Sequence, residues 1–157
     1  MSQYWELTTT VVKFNHARAD DIVDAINNEW AEDAEPNIDT DLSVDNTRGY
    51  LCHTAKDNLR GDPERKAKAI AQAVMLANGG PCEVDVACYY LERDPDERES
   101  FTAKDYAAWL AAGDVGTCRH CAGAIRRDKF GAWLDATGGD VCAAHDDDAH
   151  EVTPTPR

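Results

Sequence analysis

The sequence CEVDVACYYL, residues 82–91, has the most regular alternation of apolar and polar positions in the chain. Side chains two residues apart lie on the same face of a β-strand. The apolar face of this segment consists of Cys82, Val84, Val86, Cys88 and Tyr90. We therefore predict a half-buried strand here. It would be the last strand of a sheet whose other strands are predicted in the preceding residues.

Five further elements are predicted upstream of this strand. Residues 4–14 are rich in β-branched and aromatic residues, which favour a strand. Alternating apolar residues on either side of the turn signal Asn-Thr-Arg-Gly at 46–49 predict a hairpin at 38–55. Residues 18–30 and 62–77 have apolar residues at helical spacing, and an Asp-Pro pair begins the second helix. The order β-α-β-β-α-β predicts an α+β, ferredoxin-like sheet domain over residues 1–92.

A different composition follows this domain. Residues 93–113 are predicted to form a charged linker and a short helix, which carries Tyr106, Trp109 and Leu110. Ser100 or Thr102 can cap the start of that helix, and Gly113 ends it.

Two cysteines separated by two residues, Cys118 and Cys121, are the strongest chemical signal in the chain. Two thiolates at this spacing can bind one metal ion from a single tight turn. Cys142 follows after a spacer of 20 residues, with His145 or His150 as a fourth ligand. This pattern is typical of a structural Zn²⁺ site. The alternative is a set of reduced cysteines without a metal.

The residues around these ligands resemble a known class of module. CRHC at 118–121, WLD at 133–135, GDVC at 139–142 and a histidine near the end resemble the short zinc-ribbon tails of small actinobacterial and actinobacteriophage proteins. The resemblance implies a zinc ion, favours His150 over His145, and implies a phage or mobile-element origin. It implies no reaction. We accordingly predict a zinc ribbon at 114–151 and a disordered tail at 152–157.

The charge of the chain limits its partners. Thirty acidic residues against 16 basic ones give a formal net charge of −14. Such a surface repels nucleic-acid phosphates, so DNA or RNA is not expected as a partner. Residues 106–129 differ from the acidic segments in being net positive, through Arg119, Arg126, Arg127 and Lys129.

No apolar run is long enough to cross a bilayer, and the first residues do not resemble a signal peptide. We therefore expect a cytoplasmic protein without a membrane partner, in the host cytoplasm if it is phage-encoded. The sequence predicts no particular oligomeric state.

These features favour a non-catalytic, zinc-containing interaction or regulatory protein that binds a protein partner, and no catalytic residue is assigned. One alternative is an acidic mimic of nucleic acid that inhibits a host or defence protein. A second is a hydrolase or nuclease that uses a divalent ion held by carboxylates, for example at Asp94 and Asp96 or at residues 146–148.

Overall fold

A computed structural model describes residues 3–33, 39–45, 49–59, 63–90, 97–128 and 130–153. Its first eight strands and α-helices are β1 (Gln3–Val12), α1 (Ala19–Asp33), β2 (Asp39–Asp45), β3 (Tyr50–Leu59), α2 (Pro63–Asn78), β4 (Glu83–Tyr90), β5 (Glu97–Phe101) and α3 (Ala103–Ala112). The five strands form one antiparallel sheet in the order β2-β3-β1-β4-β5. The predicted mixed α+β class is confirmed.

The core lies between one face of this sheet and the two long helices. Leu7 and Val11 of β1 pair with residues of β4 whose side chains are also buried. Ile22 and Ile26 of α1 and Ile70 of α2 are completely buried against them. Apolar residues at helical spacing on α1 and α2 thus cover the apolar face that the alternation in β4 predicts.

The fifth strand includes part of the segment before α3 that was predicted as a charged linker. β5 pairs with β4 in the register Val84↔Phe101 and Asp85↔Ser100. Phe101 is buried in the core, and Arg98 forms an ion pair with Asp85 at 3.5 Å. The charged residues that suggested a linker suit an edge strand, because charge at a sheet edge discourages pairing with another chain. The carboxylates proposed at Asp94 and Asp96 lie outside the described residues.

The short helix α3 forms as its end signals predict. The Thr102 side chain accepts a hydrogen bond from the backbone N–H of Lys104, and the Asp105 side chain accepts one from the backbone N–H of Thr102, which completes a capping box. Gly113 ends the helix at φ 80°. Trp109 packs on Phe101 with ring centroids 5.8 Å apart, so α3 belongs to the main core.

The remaining strands are short and form two small sheets. They are β6 (Val115–Thr117), β7 (Ala124–Arg127), β8 (Trp133–Leu134), β9 (Val141–Cys142) and β10 (Asp148–Ala149). β6, β7 and β8 form one antiparallel sheet, and β9 pairs with β10. We call residues 114–153 the C-terminal unit.

The last described residues belong to this unit, which corrects the prediction of a disordered tail from residue 152. Val152 forms a β-bridge with Cys118, and the N–H of Thr153 donates to Thr117 O at 2.8 Å. Val152 also explains Gly116, because a Cβ at residue 116 would lie 2.6 Å from Cγ2 of Val152. Residues 154–157 lie outside the described part.

The C-terminal unit packs on α1 and α2 through buried charges. The Arg126 guanidinium on β7 donates to the Glu29 carboxylate on α1, and both side chains are buried. Lys66 of α2 is also buried, and its ammonium donates to the backbone carbonyl of Glu29 at 2.8 Å. Arg126 therefore does not contribute to a basic surface strip, although its sequence position suggested that it would.

Further polar contacts and one apolar contact join the C-terminal unit to the helices and to the main core. The Asn28 side-chain amide donates to Thr137 O at 3.2 Å, and Lys68 pairs with Asp114 at 3.3 Å. Val115 of β6 joins the main hydrophobic core. The two helices thus lie between the five-stranded sheet and the C-terminal unit. Within the described ranges, no helix is both long and apolar enough to span a membrane.

Candidate metal centre

Four predicted ligands meet in the C-terminal unit. The ligand atoms of Cys118, Cys121, Cys142 and His150 all lie within 4.8 Å of one another. Cys118 Sγ is 3.9 Å from Cys142 Sγ, and Cys121 Sγ is 3.9 Å from His150 Nδ1. In a tetrahedral zinc site with Zn–S bonds of about 2.3 Å, two sulfurs are about 3.8 Å apart. The four groups can therefore bind one metal ion, and zinc fits both their chemistry and their spacing.

A tight turn brings the first two ligands together. The N–H of Cys118 donates to Gly123 O, and the N–H of Ala122 donates to Cys118 O, each at 2.9 Å. Ala122 has φ 61°, in the left-handed region, which lets the chain reverse directly after Cys121. The two thiols can then face the same point from one short loop.

The other two ligands belong to the β9–β10 hairpin. Cys142 ends β9, and His150 directly follows β10. Asp146 and Asp147 both have positive φ angles and form the turn between the strands, where the N–H of Asp147 donates to Cys142 O. The carboxylates at residues 146–148, proposed as a possible cation site, are exposed and belong to this turn and to β10.

Asp135 orients the histidine ligand. Its Oδ2 lies 3.2 Å from His150 Nε2, while its Oδ1 accepts hydrogen bonds from the N–H groups of Thr137 and Gly139 at 2.9 Å. A carboxylate on the second ring nitrogen fixes the tautomer and the ring direction of a metal-binding histidine. The sequence alone does not predict this role for Asp135, although an Asp two residues before a Thr and four before a Gly is a turn signal.

Electrostatics favour a thiolate at Cys118. Burial opposes ionisation, but N–H groups of the surrounding backbone and the His150 side chain outweigh it and lower the pKa of Cys118 to about 5. Burial instead raises the pKa of Cys82, in the sheet core, to about 12. A thiolate, not a thiol, is the form that binds a metal. Burial and the neighbouring Cys118 side chain also raise the pKa of Cys142, so the preference for the thiolate is specific to Cys118.

His145 does not join these four residues. Its Nδ1 lies 3.0 Å from Ala149 O, and its ring stacks on that of His120 with centroids 3.7 Å apart. Its Nε2 faces Glu151. Of the two histidines that the sequence left open, His150 is the one that the structure places beside the cysteines.

Comparisons with known proteins add no assignment. No family model matches the chain, and neither a curated protein nor a solved structure is significantly similar to it. The site must therefore be interpreted from its own geometry.

Proposed function

We propose that this chain is a non-catalytic interaction protein whose C-terminal unit is a zinc ribbon, held by Cys118, Cys121, Cys142 and His150. The observation that carries the proposal is the convergence of three thiols and one carboxylate-bound histidine on a single point. Four protein ligands fill a tetrahedral zinc site and leave no position for a substrate, which is the arrangement of a structural site.

The small core of the C-terminal unit supports a structural role for the metal. Its own hydrophobic cluster consists of Ile125 and the cysteines Cys118 and Cys142, with Trp133 packed against it. So little apolar surface does not stabilise a unit of this size. Zinc binding provides folding free energy in such units, since the ligands are brought together only in the folded state.

An exposed phenylalanine favours the C-terminal unit as the contact with a protein partner. Phe130 lies in the turn between β7 and β8 and is 84% exposed. Three residues earlier in the sequence, Arg127 is exposed and lies over the face of Trp133, with its guanidinium 5.3 Å from the ring centroid. Aromatic residues and arginine are enriched among the residues that dominate binding energy at protein interfaces. A protein surface with an apolar pocket beside acidic groups would fit this tip.

We further propose that β1–β4, α1 and α2 form a ferredoxin-like unit and that β5 is an added edge strand. The spatial order β2-β3-β1-β4 and the antiparallel pairing of neighbours support this assignment. The assignment carries no function by itself. Reduced cysteines and a thiolate metal site suit the cytoplasm, where we place the protein.

The metal part of the proposal is tested by metal analysis of the full chain, purified without chelator. We expect one tightly bound zinc per chain. His150→Ala should release it, and the matched variant His145→Ala should retain it. Zinc that survives His150→Ala but is lost in His145→Ala would contradict the ligand set.

The interaction part is tested by quantitative affinity capture from a bacterial lysate with the wild type and two variants. Phe130→Ser should lose a specific protein partner, whereas Leu110→Ser, which changes a 44% exposed residue on α3, should retain it. The chain could instead capture a nucleic-acid-binding enzyme. If that capture is sensitive to salt and unaffected by Phe130→Ser, the acidic-mimic alternative replaces this proposal. That outcome would leave the zinc assignment intact.

A further inference from the structure

We propose that His120, His145 and Glu151 form a second metal site, for a divalent transition-metal ion bound by nitrogen and oxygen, beside the thiolate site. One oxygen of Glu151 is shared by both histidines. Its Oε1 is 3.4 Å from His120 Nε2 and 3.5 Å from His145 Nε2. The three ligand atoms all lie within 4.8 Å of one another.

The spacing of these atoms fits a bound ion. With metal–nitrogen and metal–oxygen bonds of about 2.0–2.1 Å, two ligand atoms of a tetrahedral site are about 3.3 Å apart. The two distances to Glu151 Oε1 are within about 0.2 Å of that value. Imidazole and carboxylate together suit Zn²⁺, Co²⁺ or Ni²⁺, whereas Mg²⁺ and Ca²⁺ prefer oxygen alone.

Hydrogen bonding leaves both Nε2 atoms available to a metal. A carbonyl oxygen only accepts, so His145 Nδ1 must donate its proton to Ala149 O, which leaves a lone pair on Nε2 in the neutral ring. His120 Nε2 is buried and forms no hydrogen bond within the described part of the chain. A buried nitrogen without a hydrogen bond is costly, and a metal ion would remove that cost.

The stacked rings define what must move when the ion binds. They lie 11° from parallel, so the Nε2 lone pairs, which lie in the ring planes, do not converge on one point as the rings stand. Both can meet one ion when the partly exposed His145 ring tilts towards Glu151. The Glu151 side chain is 43% exposed, so the remaining coordination position faces solvent and can take a water molecule or a ligand atom from a partner.

The thiolate site holds the ligands of this second site in place. His120 lies between the ligands Cys118 and Cys121, and Glu151 directly follows the ligand His150. The N–H of Arg119 also donates to Glu151 O at 2.8 Å, which joins the two segments. The second ion should therefore bind only after the first, and more weakly, since its ligands are fewer and more exposed.

The test is calorimetric titration of Zn²⁺ into the full chain already carrying one zinc. We expect a second equivalent to bind, with affinity reduced at least tenfold in His145→Ala and in Glu151→Gln. His16→Ala, which changes an exposed histidine that packs on Phe14, is the control and should bind like the wild type. The first zinc should remain bound in all three variants.

Histidine side-chain NMR provides a readout independent of variant folding. The second equivalent should shift the Nε2 signals of His120 and His145 and leave those of His150 unchanged. Uptake of only one zinc by the wild type would overturn the proposal, as would equal second-site affinity in His145→Ala and His16→Ala. Loss of the first zinc in His145→Ala would also overturn it, because His145 would then belong to the thiolate site.

Discussion

Replacing Arg126 by Met is expected to destabilise the whole protein, because it removes a charge that pairs with a buried carboxylate. Glu29 is 3% exposed and accepts from the Arg126 guanidinium across the interface between α1 and β7. Breaking a buried ion pair by removing one partner costs about 3–5 kcal/mol. Lys66 Nζ remains 3.9 Å from Glu29 Oε2 and still balances its charge, so we expect about 3 kcal/mol, the lower end of that range.

The neighbouring arginine provides the matched control. Arg127 lies on the same strand but is exposed and contacts the face of Trp133, a contact of about 0.5–1 kcal/mol at an exposed site. Urea and thermal unfolding of zinc-loaded protein, followed by tryptophan fluorescence and circular dichroism, measure the free energy of unfolding and the Tm of both variants. At roughly 2–4 °C per kcal/mol for a chain of this size, Arg126→Met should lower Tm by about 6–12 °C. Equal destabilisation by Arg126→Met and Arg127→Met would refute the reasoning.

Three further predictions concern the metal, pH and the C-terminal unit. Asp135→Asn should weaken zinc binding about 10–100-fold in competition with a chelator, because the histidine ligand loses its orienting carboxylate; unchanged affinity would contradict that role. Burial in the folded state lowers the pKa of His53 below 6.5, so the unfolded state binds more protons. The stability of the protein should therefore fall as pH decreases from about 6.5 through the folded-state pKa. His53→Asn should show a flatter profile of stability against pH over that range, and a profile identical to that of the wild type would exclude His53 as the cause. Truncation after Gly113 should leave a folded sheet with a lower urea midpoint than the full chain, because it exposes the Glu29 and Lys66 face; an unchanged midpoint would mean that the C-terminal unit adds no stability.

Local patterns in the sequence were sufficient for most of the fold. The alternation at residues 82–91 and the apolar spacing at 18–30 and 62–77 predict β4, α1 and α2 within a few residues. Capping is likewise a local signal, so the end of α3 at Gly113 was predictable. β5 was not, because a charged edge strand is defined by its pairing with β4, which sequence periodicity does not report.

The candidate metal site, like the fold, could be predicted from the sequence only in part. Cys118 and Cys121 were recognisable because their spacing is itself the signal of a metal-binding turn. The choice between His145 and His150 depends on the β9–β10 hairpin, and the role of Asp135 depends on a contact across two loops. The Glu29–Arg126 pair joins residues 97 positions apart, and a charged residue on a helix ordinarily indicates a solvent-facing side.

The same separations along the chain determine the order in which the protein can be completed during synthesis. Translation adds about 5–20 residues per second, so Arg126 follows Glu29 by roughly 5–20 s. His150 follows Cys121 by 29 residues, or roughly 1.5–6 s. The first helix and the sheet strands of a nascent chain are therefore synthesised well before Arg126, whose charge neutralises Glu29. The first two thiols of the metal centre are likewise synthesised before His150, which completes the site. Closure of the metal centre therefore follows the synthesis of the sheet and of both long helices, and until residues 114–153 are made the α1–α2 face of the nascent protein remains uncovered.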